Sequence, residues 1–136
     1  MHVQNILKVK GTAVATIGPD DSLADATAAL RDHGVGALVV SRDGRAIDGI
    51  VSERDVVRAL AAHGASTLGR NVASAMSTTV TTCHGHDTVD HMMGMMTERR
   101  IRHLPVVDDD GELAGIISIG DVVKARVGQL EIENDQ

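Results

Sequence analysis

Residues 49–57 read GIVSERDVV, and residues 115–123 read GIISIGDVV. Six of the nine positions are identical, and Gly, Ser and Asp keep their places. The match is longer than this stretch. Laying residues 14–57 over 80–123 without a gap gives 12 identities in 44 positions. The other six are Val14/Val80, Thr16/Thr82, Asp21/Asp87, Leu38/Leu104, Val40/Val106 and Asp43/Asp109. Where identity is lost the apolar pattern stays in phase: Leu23 faces Val89, Leu30 faces Met96, Val35 faces Ile101 and Ile47 faces Leu113. A chain so duplicated is expected to build one structural unit twice.

Each copy has the same element order. A short apolar strand comes first, around TAVATI and TVTTC. A helix follows, opened by the N-cap residues Ser22 and Thr88. In the first copy it begins Ser-x-x-Asp and stops at Gly34, and in the second it ends in basic residues that suit the helix dipole. Two strands come next, GALVVS and IDGIV, joined by RDGR, matched by HLPVVD and ELAGII, joined by DDDG. A closing helix begins at Ser52 and at Ser118. The fold class is therefore α/β, a β-α-β-β-α repeat used twice. One unit of about 50 residues buries too little surface to be stable alone, so the two are expected to pack as one module. The boundaries are residues 1–62 for the first repeat with a helical lead-in, 63–78 for a linker with its own helical stretch, 79–126 for the second repeat and 127–136 for an acidic tail. The tail keeps helical spacing at Val127, Leu130 and Ile132 before it turns acidic.

Physical chemistry gives the nine repeated residues two readings. Gly49 and Gly115 interrupt strand patterns, where Gly marks a bulge or the close approach of a backbone or ligand. Ser52 and Ser118 cap helices, and Asp55 and Asp121 sit in first turns where the dipole favours a carboxylate. Ser-x-x-Asp before an apolar run is, taken singly, an ordinary helix start. Capping alone, though, accepts Ser, Thr, Asp or Asn and does not require the same Ser twice. A carboxylate at this position also accepts hydrogen bonds from the vicinal hydroxyls of a ribose. The free N–H groups of the same helix end suit a phosphate.

These residues resemble a tandem pair of CBS domains, often called a Bateman module. The hallmark Gly-apolar-x-(Ser/Thr)-x-x-Asp is matched by Gly49, Ser52 and Asp55 and by Gly115, Ser118 and Asp121. SERDVVRAL, MTERRIRHLPVVDDDGELAGIISIGDVVK and the AM before the second copy are also typical of the family, and the likeness covers about residues 5–126. It implies two repeats related by a pseudo-twofold axis, with adenine nucleotides such as AMP, ADP, ATP, NAD or S-adenosylmethionine bound in clefts between them. It implies that Asp55 and Asp121 hold ribose hydroxyls, with Ser52 and Ser118 beside them. Adenine would be walled by Thr12, Val14, Ala37, Leu38 and Val51 on one side, and by Val80, His103, Leu104, Pro105 and Ile117 on the other. The likeness also implies a homodimer.

The copies differ where phosphate would be held. Arg99, Arg100, Arg102 and His103 stand where the first copy has His33, Gly34, Gly36 and Ala37, and Arg54 stands where the second has Gly120. Arg99 and Arg100 suit a helix C-terminus equally well, whereas Arg102 and His103 lie against the motif strand and are expected to meet phosphate. The site of Ser118 and Asp121 should therefore take the more highly charged ligand.

Composition narrows the partners. The chain has 136 residues, 43% of them hydrophobic, and no Phe, Trp or Tyr. It offers no aromatic platform for bases and no aromatic cage, so a flat ring must be held by aliphatic side chains. A net charge of −6 argues against nucleic acid. The single cysteine fits a reducing compartment, and no apolar run reaches a membrane span. A cytoplasmic protein is expected. CHGHD, residues 83–87, suggests a metal, but it lacks a second ligand pair at zinc-finger spacing, so no metal site is expected. Cys83 and His84 are not a catalytic dyad, because adjacent residues of an extended segment point opposite ways. MMGMM, residues 92–96, reads as core or interface. No catalytic constellation or catalytic cofactor is evident. The expected function is regulatory: binding of an adenosyl small molecule such as AMP, NAD or ATP, acting on a separate protein. The alternative is a structural or interaction module with vestigial sites.

Overall fold

A computed structural model describes the backbone of residues 1–135 and the side chains of residues 1–128. The elements are α1 (Val3–Lys10), β1 (Thr16–Ile17), α2 (Leu23–His33), β2 (Ala37–Val40), β3 (Gly49–Ser52), α3 (Glu53–His63), β4 (Cys83–His84), α4 (Val89–Arg99), β5 (His103–Val107), β6 (Leu113–Ser118) and α5 (Ile119–Asp135). The β-α-β-β-α order thus occurs twice. The first strands are shorter than the sequence suggests: only Thr16 and Ile17 of the first apolar run are in a strand, and only Cys83 of the second, followed by His84.

The chain divides into two compact units, one of residues 14–80 and one of residues 1–13 with 81–136. In the first, a three-stranded sheet has the order β1-β2-β3, β1 parallel to β2 and β2 antiparallel to β3. Every residue of the central strand β2 is buried. The core gathers Ile17, Leu23, Ala26, Leu30, Leu38, Val40, Val51, Val56 and Val72. The second unit repeats this topology with β4-β5-β6. Its core is Cys83, Val89, Met92, Met96, Leu104, Val106, Ile117 and Val122, joined by Val3, Ile6 and Leu7 of α1. Met92 and Met96 of the methionine-rich helix are therefore core residues.

The helix starts form as the cap residues predict. The Ser22 hydroxyl accepts from the Asp25 N–H at 3.0 Å, and the Thr88 hydroxyl accepts from the His91 N–H at 3.1 Å. Gly34 ends α2 in the left-handed conformation, which costs glycine nothing. Arg100 holds the same place at the end of α4, with φ of 55°.

The segments that precede each repeat pack differently from their sequence order. Residues 1–13 precede the first repeat, yet α1 packs on the second, because Val3, Ile6 and Leu7 bury themselves among Cys83, Val89, Leu104 and Ile117. Residues 64–69 and 72–74, short 3-10 helices within the segment read as a linker, pack on the first repeat. There the Leu23 N–H donates to Arg70 O at 2.8 Å and the Val72 N–H to Asp21 O at 2.7 Å. The helix α5 runs through most of the stretch read as a tail. The side chains of Leu130 and Ile132 lie outside the described residues.

Candidate functional site

The two strand-to-helix junctions are built alike. At the first, the Ser52 N–H donates to Asp55 Oδ2 at 2.9 Å, and the Asp55 N–H donates back to the Ser52 hydroxyl at 3.2 Å. At the second, the Ser118 N–H donates to Asp121 Oδ2 at 2.9 Å, and the Asp121 N–H donates to the Ser118 hydroxyl at 3.1 Å. The first helical N–H is satisfied by the residue leading into the strand next door: Glu53 N–H on Gly36 O at 3.0 Å, and Ile119 N–H on Arg102 O at 2.8 Å. Each carboxylate is thus held through Oδ2, and its Oδ1 accepts no hydrogen bond among the described residues.

The junctions differ in what else reaches the acid. At the first, the Ser52 hydroxyl also donates to Asp55 Oδ2 at 3.0 Å. At the second, the Lys10 ammonium donates to Asp121 Oδ2 at 2.6 Å and to Ile116 O at 2.9 Å. Burial by itself would raise the Asp121 carboxyl. The Lys10 hydrogen bond, the Ser118 N–H, the Lys10 charge and the Ser118 hydroxyl outweigh it and hold the group below its ordinary value. Lys10 is a residue that the nine-residue motif does not reveal. Carrying the 66-residue offset four positions upstream of Val14 sets it against Met76 and would have singled it out.

The other predicted residues fall into two sets. Ala37 pairs with Ser52 and His103 with Ser118 across antiparallel strands, so these positions flank the motif serines. Leu38 pairs with Val51 and Leu104 with Ile117. All four are fully buried in the two cores, so they support the junction from behind. Pro105 is also buried, while Val14 and Val80 are half-buried. Thr12, Arg54 and Arg102 are exposed. Val14 and Val80 belong to the unit of the first repeat, and Thr12 to the unit of the second. Arg99 donates to the Thr81 hydroxyl at 3.4 Å rather than standing as an open anion site.

The repeated glycines prove to be places of close approach. A Cβ on Gly49 would meet Ser77 O at 2.7 Å and Met76 Sδ at 2.8 Å; one on Gly115 would meet Leu7 Cδ2 at 2.8 Å. Ser77 pairs with Ile50 through two backbone hydrogen bonds of 2.9 and 3.0 Å. The sheet beside each junction is therefore covered by the segment that α1 or residues 76–77 supply. Cys83 takes no part in such chemistry. It is buried, and burial, with the nearby charge of Asp87, pushes its thiol up to about 12. Among the described residues no helix is long and apolar enough to cross a membrane.

Comparison with known proteins agrees with the duplicated junction. The family model described as "CBS domain" matches residues 8–62 and 72–128. The chain is 36% identical over 133 residues to the mitochondrial CBS domain-containing protein CBSX3 of Arabidopsis thaliana, covering 92% of this chain and 64% of that one. It spans about two thirds or less of the first curated relatives it matches. Among solved structures, the CBS-domain containing protein ATU1752 from Agrobacterium tumefaciens superposes with a TM-score of 0.87 at 46% identity, covering 92% of this chain and 98% of that one. The CBS domain pair of MJ0100, in complex with 5-methylthioadenosine and S-adenosyl-L-methionine, has a TM-score of 0.84 at 26% identity, covering 95% and 98%. CBSX2 in complex with AMP has a TM-score of 0.74 at 29% identity, covering 87% and 90%. With the Gly-Ser-Asp junction formed twice on the same three-stranded unit, the chain belongs to the CBS-domain family, as a tandem pair.

Proposed function

We propose that the chain is a regulatory module that binds an adenosyl ligand such as AMP, ATP or NAD and acts on a separate protein. The observation that carries this reading is the duplicated carboxylate. Asp55 and Asp121 are each oriented by a backbone N–H through one oxygen, with the other oxygen available to accept. Held this way, a carboxylate receives the hydroxyls of a ribose without first having to be ordered. Solved relatives hold AMP in one case, and S-adenosyl-L-methionine and 5-methylthioadenosine in another, which supports an adenosyl ligand here. The second junction adds the Lys10 ammonium beside the acid, with His103 on the adjoining strand and Arg102 just before it. That favours a phosphate-bearing ligand at Asp121. We place the protein in the cytoplasm and assign it no catalytic role, since the motif acids are engaged by helix caps rather than by a nucleophile or base.

The experiment is an ultraviolet spectrum of the purified protein followed by mass spectrometry of what denaturation releases. The chain has no Trp or Tyr, so a bound adenine is seen without protein overlap. A released adenosyl compound, or a thermal shift with AMP, ATP, NAD or S-adenosylmethionine, supports the reading. Silence in both overturns it and favours an interaction module.

A homodimer is part of the proposal. Val57 on α3 is 63% exposed and Val123 on α5 is 52% exposed, and the two occupy the same place in the repeat. Leu60 on α3, and Ile119 and Val127 one turn either side of Val123 on α5, are exposed as well. Apolar helix faces repeated in this way suit association with a second copy. Light scattering of V57E and V123E should report monomers where the parent chain reports dimers.

A further inference from the structure

The turn that runs from the last residue of β4 to α4 carries two histidines that its own conformation does not require. The His84 N–H donates to Asp87 Oδ2 at 2.8 Å, and in the first repeat the Gly18 N–H donates to Asp21 Oδ2 at the same distance. Position for position, Gly18 and Asp20 stand where the second repeat has His84 and His86. The aspartate therefore makes the turn in both copies, and glycine with aspartate serves as well as two imidazoles.

What the imidazoles add is a cluster of donors. Their rings stack with centroids 5.3 Å apart and planes 26° apart. One ligand atom each from His84, His86 and Asp87 lie within 4.8 Å of one another. Asp87 Oδ1 accepts no hydrogen bond among the described residues. The backbone beneath is fixed from several sides. The Val3 N–H donates to Asp87 O and the Gln4 N–H to Gly85 O, both at 2.9 Å, and the Asp87 N–H donates to His84 O at 3.1 Å. His84 pairs with Val107 in the sheet. Metal–nitrogen bonds of about 2.1 Å in tetrahedral coordination place donors roughly 3.4 Å apart. Side-chain rotation alone closes that difference, and His86 is exposed and able to rotate.

We propose that His84, His86 and Asp87 form a binding site for a divalent transition-metal ion of the zinc type. Two imidazole nitrogens and one carboxylate oxygen match such an ion and leave a coordination position for water. Calcium and magnesium prefer oxygen ligands throughout. Cys83 is not a ligand, since its side chain faces the core and its sulfur donates to Pro105 O at 3.7 Å. Sequence spacing alone missed the site because the third donor is no second histidine pair but the turn aspartate itself. The bound ion would pin the loop against the N-terminus of α1, whose first N–H groups already rest on it.

The test uses tag-free protein, stripped with a chelator and titrated with Zn2+ by calorimetry and with Co2+ by visible absorption. The key variant is the double substitution H84G and H86D, which installs the residues the first repeat uses in the same turn, so the fold is retained; circular dichroism checks this. H63A, at the exposed end of α3, is the control. The proposal expects one Zn2+ per chain, ligand-field bands with Co2+, a loss of affinity of about tenfold or more in the double variant, and no change in H63A. Absence of Zn2+ binding up to millimolar concentration, undiminished binding in the double variant, or equal loss in H63A would overturn it.

Discussion

Ser52–Asp55 and Ser118–Asp121 make the same reciprocal hydrogen bonds at the same strand-to-helix turn, but different neighbours complete them. At the first junction the strand beside the acid is closed by the backbone of Ser77 and by Met76. At the second, Lys10 reaches both the acid and the strand carbonyl of Ile116, and the side chain of Leu7 covers Gly115. The two repeats thus share the reciprocal Ser–Asp turn. They differ in the segment laid over it, which is neutral at Met76 and Ser77 and cationic at Lys10.

The largest effect should come from removing the shared part. Asp55→Ala and Asp121→Ala each delete the proposed acceptor for ribose hydroxyls, and hydrogen bonds to a charged group contribute about 1.5–3 kcal/mol. Each variant should weaken its own site roughly 10- to 150-fold by calorimetry. If the comparison holds, added salt weakens the Asp121 site more than the Asp55 site for a phosphate-bearing ligand, because Lys10 is present only there. Equal salt dependence at both sites would erase the distinction.

The glycines sharpen the same comparison through stability. A Cβ on Gly49 meets a backbone carbonyl that is itself paired with Ile50, whereas a Cβ on Gly115 meets the end of a flexible leucine. Backbone cannot yield as a side chain can. Gly49→Ala should therefore cost about 1–3 kcal/mol and Gly115→Ala less than about 1 kcal/mol, as chemical denaturation followed by circular dichroism would show. The reverse order would mean that Leu7, not Ser77, is the rigid neighbour.

Much of this was legible in the sequence. Ser22, Thr88, Ser52 and Ser118 announced four helix starts through local chemistry, and the phase of Leu38/Leu104 and Val51/Ile117 announced the two cores. Where reading stopped, the cause was tertiary. Nothing local in VQNILKVK says that Val3, Ile6 and Leu7 will bury themselves on the second repeat rather than on the first, since an apolar stripe states that it needs a partner and not which one. The same ignorance hid Lys10, 111 residues from Asp121 in the chain. The family resemblance implies Leu38, Val51, Leu104 and Ile117 as adenine walls, and in the structure all four are buried in the two cores. Strand alternation gives them that burial, while Ala37 and His103, one residue away, stand beside the serines.

The smallest effect is the most specific to the comparison. Lys10→Met gives the second unit the residue that the first has at the same offset, Met76. The Lys10–Asp121 pair is partly buried, with side chains 32% and 22% exposed, and such a pair contributes up to about 1 kcal/mol. Asp121 has its folded-state pKa depressed below the unfolded value of about 3.9. Its contribution to stability is therefore present above that value and is lost as pH falls through the lower, folded one. The stability gap between the parent chain and Lys10→Met should accordingly be full near neutrality and close in strong acid. Binding separates two roles of the same ammonium. On the proposed function, Lys10 would compete with a ribose for Asp121 and would attract a phosphate attached to that ribose. The substitution should leave adenosine bound as well as before or better, and should weaken AMP. If both ligands weakened alike, Lys10 would be acting only to position Asp121, and the charge difference between the two junctions would lie in Arg102 and His103.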